Sequence, residues 1–117
     1  MLSFANGLKI YLSLQSVDLR KSFDGLYSLA KNILKEDPLS GSIFLFTNSR
    51  RNRIKLLYFD GTGLWVMAKR LEKGTFYWPK NSDLNEGKLK LTPEAMTLLL
   101  DGVDLKDGTL RPWYERK

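Results

Sequence analysis

The sequence predicts an α+β domain in which two helices pack on one face of a mainly antiparallel sheet of four to five strands, in the order β-α-β-β-β-(β)-α. Two observations carry this prediction. Apolar residues recur at helical spacing in two segments, and shorter apolar runs separated by turn residues lie between those segments. With 117 residues, the chain is expected to form a single domain, of which residues 104–117 are a charged, mobile tail.

The first strand and the first helix are predicted within residues 8–36. Apolar and polar side chains alternate in residues 8–14, which is typical of a half-buried strand. Asp18 is a plausible N-cap for a helix over residues 18–36, which Asp37-Pro38 ends because proline disfavours helical geometry in the preceding residue. The apolar stripe of this helix consists of Leu19, Phe23, Leu26, Tyr27, Ala30, Ile33 and Leu34.

Three or four strands follow. Ile43–Thr47 is almost continuously apolar, which indicates a strand covered on both faces. Ile54–Phe59 and Leu64–Leu71 flank the turn sequence Asp60–Gly63, so these two strands should form a hairpin. Thr75–Trp78 is predicted as a short additional strand that ends before the next proline.

The last predicted element is a short helix after a polar loop at residues 80–90. Thr92 is its expected N-cap, and Pro93 occupies the first helical position, where a missing N–H costs nothing. The helix is apolar on nearly all sides, so it should be well buried, and Gly102 should end it.

The composition excludes several classes of site. The chain contains no histidine and no cysteine, so disulfides, thiolate or histidine metal sites and Ser-His-Asp triads are ruled out. A nuclease based on the carboxylates of Asp18, Asp24, Asp60 and Glu72 is a remote alternative. Asp18 is better explained as a cap, Asp60 as a turn residue and Glu72 as an ion-pair partner. We therefore expect no enzyme activity, no metal and no cofactor.

Neither a membrane span nor a secretion signal is indicated. No run approaches the roughly 20 apolar residues that a transmembrane helix needs. The first residues lack a basic segment before a long apolar stretch, so the expected location is the cytoplasm.

Positive charge is concentrated in one segment. The chain has a formal net charge of +6, and residues 48–90 contain ten Lys/Arg against four Asp/Glu, which accounts for all of it. Arg53 and Lys55 share one face of their strand, and the end of the next strand should bring Lys69 or Arg70 beside them. Opposed like charges are unfavourable, so an anion such as a phosphate backbone is the expected neutralising partner. The predicted DNA-binding residues are Arg50, Arg51, Arg53, Lys55, Lys69, Arg70, Lys73 and Trp78.

Two alternatives stay open for this segment. The charges could instead form a solvated hairpin that protects a sheet edge from pairing. The interleaved aromatic residues could stack on bases or pack in the core; we expect Phe59 and Phe76 in the core and Trp78, beside Pro79, partly exposed.

Several ordered motifs resemble one known family. Its signatures are similar to DLRKSFDGL at residues 18–26 and DPLSG at residues 37–41, and the later motifs are RRNRIK at 50–55, DGTG at 60–63, KRLEKG at 69–74 and FYWP at 76–79. The chain resembles the TnpB-type accessory proteins, products of the second open reading frame of IS-sixty-six-type bacterial insertion sequences. The likeness covers about residues 8–105. It implies a role in transposition beside a separate DDE transposase, without a catalytic residue set of its own.

The leading hypothesis is a non-catalytic transposition factor that binds DNA through its basic hairpin. The alternative is a protein-interaction module that docks on the transposase or another transposition protein. A small-molecule substrate is not expected under either hypothesis.

Overall fold

A five-stranded sheet forms the centre of the computed structural model, which describes residues 7–80 and 87–102. The strand order is β4-β3-β2-β1-β5; β1 and β2 are parallel, and all other neighbours are antiparallel. The predicted α+β class with a mainly antiparallel sheet is therefore confirmed. The elements are β1 (Ile10–Ser13), α1 (Phe23–Asn32), β2 (Ile43–Thr47), β3 (Arg53–Phe59), β4 (Leu64–Arg70), β5 (Lys88–Leu91) and α2 (Pro93–Asp101).

The two helices cover opposite faces of the sheet, so the prediction of helices on one face is wrong. Every residue of β2 is buried, as predicted, and its side chains alternate between two cores. Ile43 and Leu45 belong to the core that α2 covers, whereas Phe44 and Phe46 belong to the core that α1 covers. The reason is topological. Helix α1 is the crossover between two parallel strands, and α2 follows β5 onto the other face.

Helix α1 is shorter than predicted, and Asp18 does not cap it. The helix begins at Phe23 after Ser22, and the carboxylate of Asp18 instead accepts hydrogen bonds from Arg20. At the other end the helix stops at Asn32, before Asp37-Pro38. The glycine inside the helix has a steric reason: a Cβ at Gly25 would lie 2.7 Å from the Cβ of Lys21.

The turn between β3 and β4 forms as predicted. The amide of Asp60 donates to the carbonyl of Gly63 (3.1 Å), and Gly61 has a φ of 103°, which favours glycine. The Asp60 carboxylate accepts hydrogen bonds from the amides of Thr62 and Gly63, both at 2.9 Å, and from Nε1 of Trp65 at 2.8 Å. These donors hold the pKa of Asp60 below its usual range.

The predicted strand Thr75–Trp78 is wrong, and the fifth strand lies elsewhere. Residues 75–78 pair with no strand of the described chain; they bury Phe76 and Trp78 against the core that α2 covers. The fifth strand, β5, pairs with β1 and overlaps the end of the predicted polar loop 80–90. Residues 81–86 of that loop and the predicted tail 104–117 lie outside the described residues.

Helix α2 is confirmed with both of its predicted ends, but the expected burial is wrong, because Leu99 is the one buried residue of Pro93–Asp101. The hydroxyl of Thr92 accepts a hydrogen bond from the amide of Ala95 (3.1 Å), and Gly102 adopts a left-handed conformation with a φ of 84°. Over residues 7–80 and 87–102, neither helix is long and apolar enough to cross a membrane.

Candidate nucleic-acid interface

The connection between β2 and β3 is held by one asparagine. The side-chain oxygen of Asn48 accepts hydrogen bonds from the amides of Asn52 (3.1 Å) and Arg53 (3.2 Å), and its side-chain nitrogen donates to the Asn52 side chain at 2.7 Å. Arg51 adopts a φ of 58°, and its carbonyl accepts from the amide of Phe76 at 2.7 Å. Arg50 and Arg51 are therefore exposed on a turn whose backbone is fixed.

Two arginines face each other across the hairpin. The register places Arg53 directly opposite Arg70, and both side chains are exposed. Lys55 follows Arg53 by two residues and therefore lies on the same face. Its Nζ donates to the backbone carbonyl of Lys21, 2.9 Å away, which ties this face to the segment before α1. Of the two predicted neighbours of Arg53, Lys69 and Arg70, the structure therefore places Arg70 beside it.

A groove of about 500 Å³ runs along this face. We define the basic face as Arg20, Arg53, Lys55 and Arg70, which line this groove, together with the adjacent Lys21, whose carbonyl contacts Lys55. Nearby carboxylates offset part of this charge. Glu72 forms an exposed ion pair with Arg70 (3.2 Å), which confirms the predicted ion pair but contributes little in water. Asp18 is the second offsetting group.

Arg20 supplies the hydrogen bonds that hold the carboxylate of Asp18. The guanidinium of Arg20 donates to both carboxylate oxygens at distances of 2.8–3.1 Å, and its backbone amide donates to Oδ1 at 2.9 Å. These hydrogen bonds lower the pKa of Asp18 to about 2. The segment before α1 therefore supplies one paired cation, Arg20, and one exposed lysine, Lys21. Sequence reasoning assigned neither residue to the site, although both lie in the first family signature.

Lys69 borders the groove, but its side chain does not lie on the basic face. It is opposite Ile54, which packs in the core that α2 covers, so its side chain points to the other side of the sheet. Its Nζ donates to the carbonyl of Leu100 at 2.7 Å, near the C-terminal end of α2. A cation at that end satisfies an otherwise unpaired helix carbonyl and complements the helix dipole. Lys69 therefore has a structural role in the fold.

The predicted partial exposure of Trp78 is wrong. The side chain is 2% exposed, and its Nε1 donates to the carbonyl of Ser13, 2.7 Å away. Phe76 is buried, as predicted, and Phe59 is partly buried. The most exposed aromatic residues of the described chain are instead Phe23 (48%) and Trp65 (46%), which line one groove beside β4. Phe23 has an outward-facing position at the first turn of α1, which the apolar stripe alone did not distinguish from a core position.

Lys88 is a second lysine whose side chain makes contacts within the fold. Lys88 of β5 forms an ion pair with Glu36, donates to the carbonyl of Leu34 at 2.7 Å, and lies 5.7 Å from the ring centre of Tyr11. Burial and the nearby Glu36 raise the pKa of Tyr11. In residues 7–80 and 87–102, no three carboxylates come together as a metal site. The positive charge of residues 48–90 is therefore divided between structural lysines and the exposed cations of the hairpin.

Comparison with known proteins identifies a matching family model and similar bacterial proteins. A family model described as IS66 Orf2 like protein, TnpB_IS66, matches residues 8–109. The uncharacterized protein y4jC of Sinorhizobium fredii (strain NBRC 101917 / NGR234) is 38% identical over 104 residues, covering 89% of this chain and 86% of the relative. The uncharacterized protein y4hO of the same strain is 29% identical over 114 residues and covers 96% of each chain. No solved structure matches the chain.

Proposed function

We propose that this chain, which belongs to the family of IS66 Orf2-like proteins, serves DNA transposition by binding DNA through its basic face, without catalysing a step itself. The family indicates an accessory role in transposition by an insertion sequence. To this role we add one specific step, which is binding to DNA in the bacterial cytoplasm. The support for it comes from the charge arrangement of the hairpin.

One observation carries the proposal: Arg53 and Arg70 are directly opposed on an exposed face. Like charges at such positions destabilise a sheet, so the arrangement is a cost to the fold. Lys55 adds a third cation on the same face. A row of phosphates would neutralise all three at once and would release counterions from the DNA.

The proposed contacts differ from the set predicted from sequence. Arg53, Lys55 and Arg70 form the centre, and Lys21 extends it toward α1. Exposed cations at the two nearby turns complete the set; these are Arg50, Arg51 and Lys73. Lys69 is left out because its side chain points to the opposite side of the sheet, and Trp78 is left out because it is buried in the core.

The test is the salt dependence of DNA binding. A triple variant, Arg53→Gln, Lys55→Gln and Arg70→Gln, keeps polar, unbranched side chains and removes three charges. Each lost phosphate contact lowers the slope of log Kobs against log salt by about 0.9, so the triple variant should lose about 2 to 3 from the slope. Its affinity for a duplex at about 100 mM salt should fall at least tenfold.

A matched control removes the same charge elsewhere. Lys9, Lys31 and Lys90 are exposed and lie outside the basic face. The triple glutamine variant at these positions should keep most of the slope and affinity of the wild type. Equal losses in the two triple variants would mean that net charge, not the basic face, governs binding, and would refute the proposal. Absence of binding by the wild type at low salt would refute it as well.

A second candidate function is docking on the transposase. The exposed side chains of Phe23 and Trp65 favour it, because large exposed apolar residues that line a shared groove are typical of protein interfaces. Retention of the transposase by the wild type at about 0.5 M salt after nuclease treatment, and its loss in Trp65→Ala, would support this function. Loss of the complex on nuclease treatment alone would instead assign it to shared DNA.

A further inference from the structure

Strand β4 is an edge of the sheet, and the direction of its backbone groups can be worked out from the ends of its hairpin. The amide of Leu71 donates to the carbonyl of Asn52 (2.9 Å), and the amide of Asp60 donates to the carbonyl of Gly63 (3.1 Å). Because alternate residues of an antiparallel strand bond to the same neighbour, residues 65, 67 and 69 bond to β3. The N–H and C=O groups of the intervening residues point away from the sheet, and none bonds to another backbone group of residues 7–80 and 87–102; these residues are Leu64, Val66, Ala68 and Arg70.

The side chains along this edge leave apolar surface in solvent. Trp65 is 46% exposed, and Phe23 of the adjacent helix α1 is 48% exposed. Together with Leu64 and Val66 they line a groove of about 410 Å³. An unpaired edge strand beside exposed aromatic residues is a surface that readily pairs with another strand.

The two ends of the β4 edge differ in charge. Asp60 lies just before β4, and at or after its end three cations, Lys69, Arg70 and Lys73, outnumber the single carboxylate of Glu72, so one end is acidic and the other basic. A second copy running parallel would bring like charges together. A second copy running antiparallel would bring the acidic end of each chain to the basic end of the other.

We propose that β4 pairs antiparallel with β4 of a second copy of this chain, about a two-fold axis at Met67. This is the register in which the whole strand Leu64–Arg70 pairs, and the outward-facing backbone groups of both copies are then all hydrogen-bonded. Val66 pairs with the partner's Ala68, and Leu64 with the partner's Arg70.

The same register places Trp65 beside the partner's Lys69. This is a pair without mutual backbone hydrogen bonds, in which side chains approach more closely. The ammonium group of Lys69 has three donors, so it can keep its hydrogen bond to the carbonyl of Leu100 and also attract the partner's indole ring through a cation–π interaction, which covers the exposed ring of Trp65. The charged residues that would protect the edge from parallel pairing thus favour the antiparallel pair.

The dimer would present both basic faces on one side of a continuous sheet. Antiparallel neighbours direct opposed side chains to the same face. Arg70 and the partner's Arg70 are six residues apart along the strand direction, or about 20 Å. The pairing itself rests on the β4 edge alone and does not depend on DNA binding.

The first experiment measures self-association with a proline variant and its matched control. Ala68 is exposed and its amide points outward, so Ala68→Pro removes no hydrogen bond of the β3–β4 ladder. Ala68→Val keeps the amide and favours a strand. Sedimentation equilibrium from about 1 to 500 μM covers the affinity expected of a small interface. We expect the wild type and Ala68→Val to form dimers. The dissociation constant of the Ala68→Pro dimer should be higher by about tenfold or more.

Two outcomes of this experiment overturn the proposal. One is a wild type that stays monomeric over the whole range, which is the result expected if another protein or residues 103–117 occupy the edge. The other is a dimer that Ala68→Pro leaves intact while circular dichroism shows a folded variant, because the copies would then meet through a different surface.

Single cysteines test the register even if the proline variant fails to fold. The natural chain has no cysteine, so each engineered thiol reports on itself. Met67→Cys should form a covalent dimer on mild oxidation, because its copy is directly opposite at the two-fold axis. Arg70→Cys should not, because its copy is about 20 Å away, beyond disulfide reach. Cross-linking of Arg70→Cys without cross-linking of Met67→Cys overturns the register.

Discussion

Replacing Arg53 by glutamine should stabilise the folded protein while weakening DNA binding. Arg53 is opposite Arg70 at a pair without mutual backbone hydrogen bonds, because the neighbouring Leu71 amide bonds to Asn52, so the two Cα atoms are about 4.5 Å apart. Guanidinium groups about 7 Å apart in water repel by about 0.6 kcal/mol. The exposed ion pair of Arg70 with Glu72 offsets part of this, so we expect a gain of about 0.3–0.6 kcal/mol.

Urea unfolding at two salt concentrations measures this gain. With a slope of about 1–2 kcal/mol per molar urea, the midpoint of Arg53→Gln should rise by about 0.3 M at low salt. In about 0.5 M salt the screening length is roughly 4 Å, so the difference should disappear. Lys90→Gln is the control, because Lys90 is exposed and pairs with Tyr11 rather than with a cation, and its midpoint should stay unchanged.

Repulsion between the two arginines would be refuted if Arg53→Gln unfolded at the same or a lower urea concentration than the wild type at low salt. It would also be refuted if the gain persisted in high salt, since a packing effect of glutamine would then explain it. Either result would mean that the opposed arginines impose no electrostatic cost. The charge conflict would then no longer support an anionic partner.

Three further predictions concern groups that the structure places in the fold. Trp78→Phe should lower the free energy of unfolding by about 1–3 kcal/mol, measured by thermal melting, because the carbonyl of Ser13 loses its buried donor, while the salt slope of DNA binding should not change. The pKa of Asp18 is depressed to about 2 in the folded state, so its contribution to stability is present above about pH 4 and is lost as the pH falls through 2; in Arg20→Ala, an NMR titration should show this pKa rising toward 3.8. Thr92→Ala should cost about 1 kcal/mol, seen as a lower urea midpoint, because α2 loses its N-cap; Thr92→Ser should restore most of it.

Most of the fold could be predicted from local patterns, because those patterns report local physical constraints. The turn at residues 60–63 and the capped helix α2 depend on side chains next to each other in sequence, and both were found where expected. The fully apolar β2 was correctly expected to be covered on both faces. The fifth strand was missed because its pattern, Lys-Leu-Lys-Leu at residues 88–91, is short and basic. It becomes a strand through pairing with β1 and through the contacts of Lys88 with Glu36, which are distant in sequence.

The candidate site could be located but not resolved from sequence. The excess of charge in residues 48–90 identified the hairpin, and the two-residue spacing of Arg53 and Lys55 put them on one face. The burial of Trp78 could not be read from its neighbours Pro79 and Lys80, because its partner is a backbone carbonyl 65 residues away in the chain. A proline can end a strand, but it does not indicate whether the side chain of the preceding residue is buried in the core.

Lys69 and Arg70 show how the register of a strand determines which face of the sheet carries each cation of a basic segment. Consecutive residues of a strand must point to opposite faces, so only one of these two cations could ever join Arg53. The turn at residues 60–63 sets the register of the hairpin, and that register pairs Arg70 with Arg53 and Lys69 with Ile54. A one-residue slip would exchange the two cations, separating Lys69 from the carbonyl of Leu100 and moving Arg70 away from the basic face. The same turn therefore determines both the support of α2 by Lys69 and the electrostatic conflict that makes an anion the natural partner of the opposite face.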